Sequence, residues 1–91
     1  MDAIVTAPVT KADIAELEPG FRGQTEFFGR RLGVDVPTMM LAGPTLRVAL
    51  VTTHLPLRDV PDAITAEAVE RTIRRTHDGL HRWFDVVTPR I

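Results

Sequence analysis

His54 has the setting in this chain that points most directly to chemistry. It follows the β-branched run Val51-Thr52-Thr53 and precedes Leu55-Pro56-Leu57, so it stands at a strand's exit, where proline fixes the backbone. Ligands gather at the carboxyl ends of strands in α/β sheets. A neutral imidazole held there can ligate a divalent metal when an acceptor orients its other nitrogen, or it can simply hydrogen-bond at the strand end. His77 and His81 have the i,i+4 spacing of two zinc ligands on one helical face. Their neighbours Arg74, Arg75, Asp78 and Arg82 mark that face as solvated, and the pair does not suggest a catalytic centre. Lys11 opens a helix after a turn, where its ammonium and the backbone N–H groups can hold a phosphate or carboxylate, or where the side chain faces solvent. In Gly23-Gln24-Thr25 the glycine admits close backbone approach, Gln24 both donates and accepts, and the Thr25 hydroxyl can bind an anionic substrate or cap a helix. The residues alone favour capping. Arg58, Asp59 and Asp62 read as a helix entrance rather than a substrate clamp, and Met39-Met40 reads as core filling.

The elements that must position these groups follow from the pattern of apolar residues and breakers. Ala3-Ile4-Val5-Thr6 is a short apolar run ending at Ala7-Pro8 and predicts a buried strand. Thr10-Lys11-Ala12-Asp13 has the Thr-x-x-acid form of a helix start, and Pro19-Gly20 ends that helix near Leu17. A second helix begins at Gly23-Gln24, with Phe27, Phe28 and Leu32 on a buried face, Arg30 and Arg31 at its C-terminal end, and Gly33 as its stop. Two strands, Thr38 to Ala42 and Leu46 to Thr53, are separated by Gly43-Pro44-Thr45, too short a link for a parallel crossover, so they form an antiparallel hairpin. Thr65 caps the longest helix, whose Val69, Ile73, Leu80 and Phe84 share one face and whose Glu67–Arg71 and Glu70–Arg74 are i,i+4 pairs. Arg90-Ile91 reads as the start of a further strand. The expected fold class is α/β, a mixed-sheet layer architecture within a single partial domain over 1–91.

Composition narrows the function classes. A formal net charge of -1 gives no field to attract nucleic acid or an anionic membrane, and an aromatic content of 5% offers few stacking platforms. Without cysteine there is no thiolate zinc site and no disulfide, so any metal relies on His and carboxylates. The N-terminus has no basic segment followed by a long apolar stretch, and no window is long and apolar enough to span a bilayer. The chain is expected to be soluble, unexported and cytoplasmic. No Gly-x-Gly-x-x-Gly, phosphate-loop or Gly-x-Ser-x-Gly pattern is present.

Taken in order, Ile4-Val5-Thr6-Ala7-Pro8-Val9-Thr10-Lys11, Gly23-Gln24-Thr25-Glu26-Phe27, Met39-Met40-Leu41-Ala42 and Leu46 through Asp59, with Thr52-Thr53-His54-Leu55-Pro56-Leu57 at its centre, resemble the 4-hydroxythreonine-4-phosphate dehydrogenase (PdxA) family. The resemblance extends through Asp62-Ala63-Ile64-Thr65 to Pro89-Arg90-Ile91 and marks the chain as an internal fragment of a longer protein. It implies a fold like that of isocitrate and isopropylmalate dehydrogenases, a homodimer, NAD bound without the Rossmann glycines, and a divalent metal (Zn, Mg or Co). The implied reaction is oxidation and decarboxylation of 4-phosphohydroxy-L-threonine on the route to pyridoxal phosphate. By position, His54 matches a metal-binding histidine of the family and Thr25 a substrate-binding threonine. Gln24 falls where the family usually has a substrate-binding histidine; glutamine cannot become cationic, which opens the way to another phosphorylated hydroxy acid or a dihydrodiol carboxylate. Lys11 fits the family's Thr-x-Pro-x-x-Lys pattern without an assigned role. One ligand cannot hold a catalytic metal, so the chain alone is expected to be inactive. A reading from another class is a non-catalytic α/β association module.

Overall fold

A computed structural model of the chain describes residues 3–91. It divides into two compact units, Met1–Pro37 and Thr38–Ile91, each built by its own local rules.

In the first unit, helix α1 spans Lys11–Leu17 and helix α2 spans Gln24–Arg31. Helix α1 starts at Thr10 through backbone bonds alone, from Asp13 N and Ile14 N to the Thr10 carbonyl at 3.2 and 3.4 Å. The Thr10 side chain caps nothing. Helix α2 ends in a Schellman motif: Val34 N donates to the Gly29 carbonyl at 2.8 Å and Gly33 N to that of Arg30 at 3.3 Å, with Gly33 at φ 72°. The predicted glycine stop is therefore formed. Gly29 is required for a different reason, because a Cβ there would lie 2.8 Å from Pro37 Cγ and 3.0 Å from the Val34 carbonyl oxygen. Phe21, Phe27 and Phe28 make an aromatic cluster with centroids 6.1 and 5.5 Å apart, and the Arg31 guanidinium lies 5.1 Å from the Phe27 centroid. Leu32, expected on the same buried face, is 63% exposed.

The segment Ala3-Ile4-Val5-Thr6 is not the buried strand its composition predicts: it has no regular structure, and Val5 is 98% exposed. A strand exists only through its partners, and the two strands among the described residues pair with each other.

The second unit contains the predicted hairpin. Strands β1, Met39–Ala42, and β2, Arg47–Leu50, run antiparallel in the register Met39↔Leu50 through Ala42↔Arg47. Gly43 N donates to the Leu46 carbonyl at 2.8 Å and closes the turn, which places Leu46 in the connection rather than in the strand. Val51 to Thr53, expected to continue β2, lie outside it because β1 offers no residue opposite them. A 3-10 turn over Leu57–Asp59 leads into helix α3, Val60–Ala63, and then into helix α4, Ala66–Trp83. Thr65 Oγ1 accepts from Ala68 N at 3.1 Å, the predicted cap. Of the two predicted charge pairs, Glu70–Arg74 closes at 2.8 Å.

Helix α4 packs on β2, but its most buried residues are Ala68, Thr72 and Leu80, whereas Ile73 and Phe84 of the predicted face are 45% and 40% exposed. A cavity of about 370 Å³ is lined by Met40, Ala49, Val51, Val69, Ile73 and Leu80, among others. The Thr72 hydroxyl is satisfied by the Ala68 carbonyl at 2.9 Å. Arg90-Ile91, read as an incipient strand, has no regular structure. The architecture is a small mixed α/β arrangement of a two-stranded sheet and four α-helices among the described residues.

Candidate functional site

His54 lies in the bend after β2, is exposed, and has φ 55°. Left-handed backbone is uncommon for residues other than glycine, and where it recurs at histidine it re-aims a side chain at some cost in strain. The next proline is extended, at φ -55° and ψ 142°, and its carbonyl accepts from Asp59 N at 2.9 Å to start the 3-10 turn. Neither ring nitrogen of His54 meets a hydrogen-bond partner among the described residues, so the imidazole is available for ligation rather than spent at a strand end. Arg58 Nε and Asp59 Oδ1 are 4.0 Å apart and well exposed, a pair of little energetic weight. With Asp62 in the first turn of α3, they suit the helix entrance that the sequence suggested.

In the first unit, the N-cap of α2 is Gly23, without a side-chain bond, and Thr25 lies inside the first turn. Capping by Thr25, which the residues alone favoured, is not what the fold does; its hydroxyl stays exposed and unengaged among the described residues. Gln24 is half-buried, and its Nε2 donates to the Ala7 carbonyl at 3.2 Å. Since that carbonyl can only accept, the amide is oriented with Oε1 left free. A link across seventeen residues carries no local signal in the sequence.

Gly23 is buried, and a Cβ built on it would lie 2.6 Å from Glu26 Oε2 and 4.0 Å from Lys11 Cε. The α2 N-terminus thus has the Glu26 carboxylate against it, favourable to the helix dipole, with the exposed Lys11 beside it. Behind it, Val9, Ile14, Phe21, Phe27 and Phe28 line a cavity of about 470 Å³ with Gln24 as one of its polar members. Phe21, isolated in the sequence, was not foreseen as part of this lining.

Among the described residues no group of three or more His, Cys, Asp or Glu is arranged to hold a metal ion. His54 fits a metal as one ligand of a larger set. Among the described residues no helix is long and apolar enough to cross a membrane.

Comparison with known proteins identifies the family. The family model described as "Pyridoxal phosphate biosynthetic protein PdxA" matches residues 1–91. A 4-hydroxythreonine-4-phosphate dehydrogenase of Stenotrophomonas maltophilia (strain R551-3) is 50% identical over 91 residues, covering 100% of this chain and 28% of the relative. The enzymes of that name from Xylella fastidiosa (strain Temecula1) and Pseudomonas putida are each 52% identical, over 91 and 88 residues, covering 100% and 97% of this chain and 27% of each relative. The chain spans little more than a quarter of the length of the curated relatives it matches. With the family match running through Gln24, Thr25 and His54 alike, the chain belongs to the PdxA family.

Proposed function

We propose that this chain carries part of the substrate and metal site of a 4-hydroxythreonine-4-phosphate dehydrogenase, an oxidoreductase of pyridoxal phosphate biosynthesis. The observation that carries the reading is His54: an imidazole unengaged among the described residues, on left-handed backbone in the bend four residues beyond β2, inside the family match. In the complete protein the substrate is 4-phosphohydroxy-L-threonine, whose hydroxyl is oxidised and whose carboxylate is lost as carbon dioxide. When bound, NAD would supply the hydride acceptor and a divalent metal (Zn, Mg or Co) would supply Lewis acidity.

His54 contributes one ring nitrogen to the metal's ligand set; the others come from residues outside this chain. Thr25, with its free hydroxyl, donates to a substrate oxygen. Gln24, held by Ala7, presents Oε1 and its remaining N–H to the substrate as a neutral group. The larger fold in this reading is like that of isocitrate dehydrogenase, the assembly is a homodimer, and the location is cytoplasmic.

The test is a chimera in which this chain replaces the matching segment of the Stenotrophomonas relative. NAD-dependent turnover of 4-phosphohydroxy-L-threonine is expected, and His54→Asn should lower kcat by about 100-fold or more with loss of bound metal. A folded, inactive chimera would refute the dehydrogenase reading and favour an association module. A second reading is supported by Gln24, whose neutral amide suits a substrate with less anionic charge at that point. Preference of the chimera for another phosphorylated hydroxy acid or a dihydrodiol carboxylate, reversed by Gln24→His, would establish it.

A further inference from the structure

Helix α4, Ala66–Trp83, carries His77 and His81 one turn apart on exposed surface, His81 in the last turn. Side chains at i and i+4 stand on the same face of an α-helix, and two imidazoles so placed can close on one metal ion. Spacing alone describes many solvated helices, but here the structure adds an orienting contact. His77 Nδ1 lies 3.3 Å from Asp78 Oδ1. A carboxylate on Nδ1 holds the proton there and leaves the Nε2 lone pair directed outward, the arrangement that orients histidines toward metals.

Two of the neighbouring cations are engaged with other groups. The Arg74 guanidinium is 2.8 Å from Glu70 Oε1, and that of Arg82 lies 5.6 Å from the Trp83 centroid. Asp78 adds a negative charge beside His77.

We propose that His77 and His81 form a helix-surface site for a borderline transition-metal dication such as Zn²⁺ or Ni²⁺, separate from His54 and independent of the dehydrogenase reading. Imidazole nitrogen selects these ions over Mg²⁺ or Ca²⁺, which favour oxygen. The two imidazoles supply two coordination positions and water fills the rest, so the site is labile and exchanges its ion readily.

The experiment is titration of the purified chain with NiCl₂ and with ZnCl₂, followed by calorimetry and by the imidazole NMR signals. The expected result is one saturable site whose signals are those of His77 and His81, with no response to Mg²⁺. His77→Ala and His81→Ala should each weaken binding by roughly tenfold or more, and Asp78→Asn by about tenfold. A variant carrying both His81→Ala and Arg82→His keeps the histidine count while moving the second imidazole off the face, and should bind as weakly as His81→Ala alone. Affinity retained in that double variant, a response confined to His54, or no saturable binding would each overturn the proposal.

Discussion

Helices α1 and α4 both begin at a threonine in extended conformation, yet only one of these threonines caps. Thr65 accepts from Ala68 N, whereas the Thr10 side chain makes no capping bond and its helix is started by backbone contacts. The two helices also differ in what holds them. Helix α4 has eighteen residues, a buried edge at Ala68, Thr72 and Leu80, and an internal Glu70–Arg74 pair. Helix α1 has seven residues and none buried. A helix this short does not persist on propensity. The comparison teaches that a capping sequence becomes a capping bond where the helix behind it is already fixed by packing, and remains only a pattern where it is not.

That contrast can be broken most forcefully at Leu80. Replacing it by alanine should cost about 2–3 kcal/mol of stability, read from urea unfolding, because one of the few buried apolar side chains is lost beside an existing cavity. A loss no larger than that of an exposed leucine, such as Leu17→Ala, would show that packing on β2 does not hold α4. The next test concerns the caps. Thr65→Ala should cost about 1 kcal/mol, and Thr10→Ala should leave stability unchanged within a few tenths of that. Equal losses would mean that Thr10 caps in solution. Third, Asp85 takes the left-handed position after α4 at φ 57°. Asp85→Gly should therefore stabilise the chain by about 0.5–1 kcal/mol, visible as a raised unfolding midpoint. The smallest effect belongs to the exposed Glu70–Arg74 pair: Glu70→Gln should cost about 0.3–0.5 kcal/mol in low salt and less in high salt.

How much was legible in the sequence follows from the range of the forces involved. The Thr65 cap, the Gly33 stop and the Gly43-Pro44 turn are set by residues within a few positions of one another, and each was readable. Ala3 to Thr6 and Val51 to Thr53 were misread because an apolar, β-branched run states a preference for a sheet but not whether a partner is present. Helical periodicity placed Leu80 on the buried face of α4 without revealing that Ala68 and Thr72, rather than Ile73, would be buried with it.

The site divides in the same way. The place of His54 after a strand was readable, its left-handed backbone was not, and no local pattern foretold that Gln24 would reach Ala7. The residues around Thr25 suggest a cap, but the helix begins two residues earlier than that role requires.

The backbone at His54 also bears on the protein's history. A residue at φ 55° must suit the chain as well as the chemistry. Most replacements disturb both at once, but asparagine tolerates the same conformation and is one nucleotide change from either histidine codon. If His54 is the ligand proposed above, a lineage released from selection on the imidazole has a short path along which the ligand vanishes and the fold survives. On that proposal, descendants that have lost the chemistry are expected to carry asparagine or glycine at position 54, the residues that best tolerate its backbone.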